Sequence, residues 1–365
     1  MLLLLAACND GGSKGDVVIT ADVTSGTWPL TVAFDGADST AEGDFAWDFG
    51  DGAVGTGEEV DHTYVGEGSF TVTLTVGEAL ATTTIEVDRP ACPDVRAPQS
   101  WGMVTDPELT EISGLAQSSR DPEVLWVVED AQNPEELVAI DTSGAVLGRF
   151  ELDDQNFSDV EDLASGLDPV TGEPKLYAAD LGNNDDDKTE FAIWTFDEPE
   201  NPSAGGLLSG GKRTVLKYPT VALDSETLLV DPLTEDFYFV TKDNQGEARV
   251  FKKTAPHQGG GPFELEYVTL IDFSKPPLTG SSTTGGAISS DGQRVVIRTY
   301  SDRAWMWRID GYLPFGDVFD TPPCEIQLAE EAQGESITFA NDGSGVLTVG
   351  ELANAPVWFV PFGAN

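Results

Sequence analysis

Carboxylates standing on otherwise apolar strands are the residues of this chain best suited to chemistry. Glu161 and Asp162 lie in Val160-Glu161-Asp162-Leu163-Ala164, and Asp180 closes Leu176-Tyr177-Ala178-Ala179-Asp180. Glu226 stands in Ser225-Glu226-Thr227-Leu228-Leu229, and Glu335 in Gly334-Glu335-Ser336-Ile337. A polar group on an apolar strand is costly unless paired or bound. Two carboxylates about 6 Å apart repel by roughly 2.8 kcal/mol at an effective dielectric of 20. If Glu161, Glu226 and Glu335 converge, either their pKa values rise or a cation joins them. Oxygen ligands with no Cys or His nearby favour Ca²⁺ or Mg²⁺ over zinc. The expected metal set is Glu161, Asp162, Asp180, Glu226 and Glu335, with Ca²⁺ as the ion. Lys242 and Arg298 offset part of the charge, and the same residues also fit a salt-bridge ring that only fixes packing. Were the site catalytic, Ca²⁺ would polarise a phosphate or carboxylic ester. Glu161 or Glu226 would then activate water, and Lys242 with Arg298 would hold an anionic group. The two histidines, His62 and His257, lie in other segments, so no Ser–His or Cys–His nucleophile is expected there. Asp185-Asp186-Asp187 beside Asn183-Asn184 reads as a solvated acidic loop, with a second cation site as the alternative.

These acids belong to a repeated phrase, and the repeat dictates what must position them. Ile112-Ser113-Gly114-Leu115-Ala116 is answered by Leu125-Trp126-Val127-Val128-Glu129, Ser225-Glu226-Thr227-Leu228-Leu229 by Tyr238-Phe239-Val240-Thr241-Lys242, and Gly285-Gly286-Ala287-Ile288 by Val295-Val296-Ile297-Arg298. The last copy pairs Gly334–Ile337 with Leu347-Thr348-Val349-Gly350-Glu351. Spacings of roughly 50 to 65 residues suit a four-stranded blade with its loops. The expectation is all-β: a five-bladed β-propeller over 105–365, with six blades as the rival count. Aligning the copies equates Ser113, Glu161, Glu226, Gly285 and Glu335 on the innermost strands. The partner strands then end on Glu129, Asp180, Lys242, Arg298 and Glu351. The fifth blade lacks an outer strand, which segment 89–104 would supply around Ser100–Val104, leaving no long exposed edge. Asp197–Gly211 reads as a Pro/Gly/Ser-rich excursion, Pro256–Gly261 as a flexible stretch, and Gly259-Gly260-Gly261 within it as a linker. The recurring tryptophans and tyrosines read as packing between blades.

Composition bounds the setting. The 365-residue chain carries 64 acidic and 19 basic residues, a net charge of −45. Such a surface repels nucleic acid and anionic lipid and gathers cations, and it suits a saline or calcium-bearing extracytoplasmic medium. Leu5-Ala6-Ala7-Cys8 matches a bacterial lipobox, so Cys8 is the expected lipidation site and membrane anchor, and 1–15 a signal remnant and tether. The charged n-region is missing, which points to a start further upstream. Cys92 and Cys324 remain as a disulfide candidate in an exported protein.

Residues 16–88 hold alternating strands around Trp47-Asp48-Phe49-Gly50-Asp51-Gly52, His62-Thr63-Tyr64 and Thr71-Val72-Thr73-Leu74-Thr75-Val76. This segment resembles the PKD family, which implies an immunoglobulin-like β-sandwich serving as spacer or binding module. The phrases from Ser113 to Phe339 resemble exported bacterial propellers of the esterase-like/phytase-like group, a likeness that implies fold more than activity. The combined expectation is a monomeric, lipid-anchored cell-envelope protein presenting a propeller to an extracellular ligand. The alternative is a Ca²⁺-dependent hydrolase of phosphate or carboxylic esters.

Overall fold

The structure, a computed structural model, describes residues 15–130, 136–152, 159–183, 188–221, 223–243, 245–278, 280, 282–309 and 313–363. Cys8, with its expected lipidation, and the acidic stretch 184–187 lie outside the described residues. The chain divides into two compact units, Met1–Cys92 and Pro93–Asn365.

The first unit is a two-sheet β-sandwich. One sheet pairs Thr20–Ala21, Leu30–Asp35 and Glu59–Tyr64; the other orders Ser25–Thr27, Ala79–Asp88, Gly68–Val76, Phe45–Asp48 and Val54–Thr56. The period-2 alternation of Gly68–Val76 buries Val72, Leu74 and Val76 against Phe34, Trp47, Phe49 and Tyr64, as a half-buried strand requires. After Trp47 the chain turns through Gly50 at φ 83°. A side chain there would come within 2.6 Å of the Thr71 carbonyl, so glycine is needed for both conformation and approach. His62 hydrogen-bonds Asp51 at 2.7 Å and stacks on Phe49 with ring centroids 4.1 Å apart. It is a structural member of this turn.

The second unit is built from five antiparallel four-stranded meanders. The first comprises Ile112–Gln117, Val124–Glu129, Glu136–Asp141 and Val146–Leu152; the second Val160–Leu167, Pro174–Asp180, Phe191–Asp197 and Lys212–Lys217. The third comprises Ser225–Val230, Phe237–Thr241, Glu247–Lys253 and Glu266–Asp272; the fourth Thr283–Ile288, Arg294–Thr299, Arg303–Arg308 and Cys324–Gln327. The fifth takes Thr338–Phe339, Gly345–Val349 and Pro356–Pro361 from the end of the chain and Gln99–Met103 from the start of the unit. Cys92 and Cys324 are both disulfide-bonded. Among the described residues no helix is long and apolar enough to cross a membrane.

Each sheet's first strand lies beside that of the next, and the fifth sheet's lies beside the first's, a propeller-like succession. Small residues permit this approach: a Cβ on Gly114 would sit 2.5 Å from the Leu163 nitrogen, and one on Gly285 2.4 Å from the Glu335 carbonyl. Side chains then bridge between sheets. Ser113 donates to the Val160 carbonyl at 2.7 Å, and Thr284 donates to that of Gly334 at 3.0 Å. Trp126 and Trp194 pack between the first two sheets, Trp305 and Trp307 between the third and fourth.

A segment read as an excursion and one read as flexible both extend sheets instead. Gly206–Leu208 runs parallel to Val146–Leu152, and Gly260–Glu264 runs parallel to Lys212–Lys217. Gly261 comes so near Val215 that a Cβ would lie 2.3 Å from its carbonyl. The glycines taken for a linker therefore allow edge pairing, which covers backbone groups otherwise left open.

Candidate functional site

The site is organised by a repeated irregularity. In the first four sheets the register between first and second strands skips one residue: Ser113, Glu161, Glu226 and Thr284. A bulge of this kind leaves the extra residue outside the pairing and re-aims its side chain. The fourth equivalent is thus Thr284 and not Gly285, one residue away from the alignment made on sequence alone. The residues paired at the far ends of the second strands are Glu129, Asp180, Thr241 and Thr299. Lys242 lies one residue beyond that row and Arg298 one residue before it.

The two cations take different partners. Lys242 reaches Glu226, with Nζ 2.6 Å from Oε1. Arg298 pairs instead with Glu331 at 3.0 Å, the two side chains being 1% and 3% exposed. It also donates to the Ser336 carbonyl at 2.9 Å, while Thr348 donates to Glu331 at 3.1 Å. The expected anion clamp of Lys242 with Arg298 is therefore not assembled; Arg298 holds packing together.

Glu161, Glu226 and Glu335 do come into one electrostatic group. Burial first, then the charges of Glu226, Asp130 and Asp159, pushes the Glu161 carboxyl well above the usual range. Burial raises Glu226 to about 7 against the opposing pull of Lys242. Lys242 lies 5.6 Å over the Tyr300 ring, and the Tyr300 hydroxyl donates to Glu335 at 2.9 Å. Glu351 is held up to about 8 by burial and by its hydrogen bond with Glu335. Asp130 adds to the field at both Glu351 and Glu161, which makes the succession of interactions cyclic.

The carboxylates that come closest differ from the expected metal set. Asp130, Asp159 and Glu161 each offer an oxygen within 4.8 Å of the others. Glu161 is 3% exposed, and its Oε1 is buried with no hydrogen-bond partner. Gly182 borders the same space: a Cβ there would lie 2.2 Å from Glu161 Oε1 and 2.3 Å from Asp159 Oδ2. Asp162 takes no part. Its oxygens accept the backbone N–H groups of Leu163 and Leu228, both at 2.8 Å, tying the second sheet to the third. Asp180 borders the group, accepting the Asp159 N–H at 3.0 Å with Lys188 Nζ 3.8 Å away. Glu226 is matched by Lys242, and Glu335 by Tyr300 and Glu351.

Asp130 and Asp159 escaped the sequence reading because both flank strands instead of standing within them. A signal existed: Asp159 and Glu161 are two residues apart, the strand period that puts side chains on one face. At the opposite ends of the first strands lies a cavity of about 220 Å³ bordered by Ser165, Leu167, Ile288, Ser290, Phe339 and Asn341. Among the described residues no charged side chain borders it.

Residues 17–88 match the PKD domain family. No curated protein matches the chain in sequence. Similar solved structures include a structural genomics protein of unknown function from Bacteroides thetaiotaomicron VPI-5482, at 9% identity and TM-score 0.39 over 94% of this chain and 98% of that one. The RRP9 WD40 repeats align at 11% identity and TM-score 0.35 over 95% and 91%. A chain of a nidogen/laminin complex aligns at 10% identity and TM-score 0.37 over 66% and 73%.

Proposed function

We propose that the second unit is a five-bladed β-propeller whose acidic end binds a divalent cation, Ca²⁺ by the chemistry of its ligands, and through it an extracellular ligand. The observation that carries this reading is the buried, unpartnered Oε1 of Glu161 facing Asp130 and Asp159. A carboxylate so placed either keeps a proton or coordinates an ion. Hard oxygen donors, with no imidazole or thiolate among them, suit Ca²⁺. Gly182 keeps the space between these oxygens clear of side-chain atoms. Five is favoured over six blades because the described residues supply five meanders and a strand from the start of the unit to complete the last.

In this reading the PKD-matching unit is a spacer, Cys8 carries a lipid, and the protein faces outward from a bacterial envelope as a monomer. The disulfide-bonded Cys92 and Cys324 fit an oxidising compartment. Calorimetric titration with Ca²⁺ tests the cation site: saturable binding by the intact chain, lost in Glu161→Gln, is expected. The absence of binding by the intact chain would overturn the reading.

One observation favours hydrolysis as a second reading. Glu226, raised to about 7, is poised near neutrality as a general base should be. A panel of phosphate and carboxylic esters with and without chelator separates the two. Turnover lost on chelation and in Glu226→Gln would make the protein an enzyme; cation binding without turnover would leave it a binding module.

A further inference from the structure

We infer that Lys188 is a tethered counter-cation of the acidic site, whose ammonium must leave Asp159 before a divalent cation binds. The inference rests on the cation reading given above and adds a device that regulates it. Lys188 Nζ lies 3.3 Å from Asp159 Oδ2 and 3.8 Å from Asp180 Oδ1. Asp159 Oδ2 is also the oxygen that borders Gly182 together with the unpartnered, 3% exposed Glu161 Oε1. The ammonium and a divalent ion would thus draw on the same carboxylate oxygen.

The backbone that carries Lys188 is anchored apart from its side chain. Asn183, itself buried, accepts the Lys188 N–H at 2.9 Å and donates to the Lys188 carbonyl at 3.3 Å. The Asn183 N–H in turn donates to Asp224 at 2.8 Å, on the approach to the third sheet. The lysine side chain is 25% exposed. Its flexible stem can swing the head into water while the backbone holds. Calcium takes carboxylate oxygens at about 2.3–2.6 Å, and two cations sharing one oxygen at such range repel strongly. Binding is therefore an exchange in which the resident monovalent charge is expelled as the divalent one enters. The consequence is a site set to higher calcium concentrations than its acids alone would give.

The test compares Ca²⁺ titrations of the intact chain, Lys188→Gln, Lys188→Arg and the control Lys175→Gln, whose lysine pairs with Asp197 on a different strand pair. Lys188→Gln should bind roughly tenfold or more tightly, while Lys188→Arg and Lys175→Gln stay near the parent. Thermal melts in chelator establish that each variant is folded. Binding by the parent with equal or weaker binding by Lys188→Gln would overturn the tether and leave the cation site standing. Binding by Lys188→Gln alone would support the tether in its strongest form. Binding by neither would overturn both.

Discussion

Replacing Glu161 by glutamine should raise the stability of the metal-free protein while abolishing its response to calcium. The magnitude follows from the spacing of the three acids. Two charged carboxylates with oxygens 4.8 Å apart repel by about 3.5 kcal/mol at an effective dielectric of 20. That figure is a ceiling, because burial already favours the protonated form of Glu161. In a unit of this size each kcal/mol moves the melting temperature by about 2–4 °C, so a gain of a few degrees in chelator is expected. The parent protein should gain about 2.7 kcal/mol at a calcium concentration one hundred times its dissociation constant, roughly 5–10 °C. The two melting curves should therefore cross in rank: the variant higher in chelator, the parent higher in calcium. Differential scanning calorimetry in both conditions reads this directly. A variant that melts lower in chelator, or keeps the calcium shift, would refute the reasoning.

Three further outcomes follow from the same geometry. Asp162→Asn should cost about 1–3 kcal/mol, because an amide cannot accept both backbone N–H groups, yet leave calcium affinity unchanged in calorimetry. Arg298→Ala should cost about 3–5 kcal/mol in urea unfolding by stranding Glu331, with Glu331→Gln in the same background recovering part of it. His257 stacks on Phe237 with centroids 3.6 Å apart and bonds the Glu235 carbonyl at 2.7 Å, and burial lowers its pKa to about 4. Between about pH 6.5 and 4 the unfolded chain binds the proton that the folded one refuses. Its contribution to stability, at most about 3 kcal/mol, is present above that window and lost as the pH falls through it. Urea unfolding across pH 4–7 should show that slope in the parent and a flatter one in His257→Phe.

The strands of the five meanders and their order were largely legible in the sequence because hydrophobic period and turn residues act locally, whereas the added edge strands Gly206–Leu208 and Gly260–Glu264 were not. The repeated phrase located the first and second strands of the first four sheets and missed the fifth sheet's short first strand, Thr338–Phe339, by starting at Gly334, while WDFGDG with HTY located the sandwich. What stayed hidden depended on register. A bulge moves the equivalence by one residue, and one residue on a strand is the difference between two faces. This is why Thr284 holds the place assigned to Gly285. Asp130 and Asp159 were hidden for a related reason: they flank strands, and only the return of the chain brings them beside Glu161. Asp162 looked like a ligand since it adjoins Glu161, but adjacent strand residues point apart, and its carboxylate serves the neighbouring backbone.

The bulges also bear on how the molecule tolerates change. A residue set outside the pairing scheme can be exchanged without unzipping the sheet that carries it. Serine, glutamate and threonine already occupy this one architectural address in successive repeats. The repeats behave as a row of sockets, each accepting a different plug. Different side-chain chemistry can be installed there with the frame left untouched.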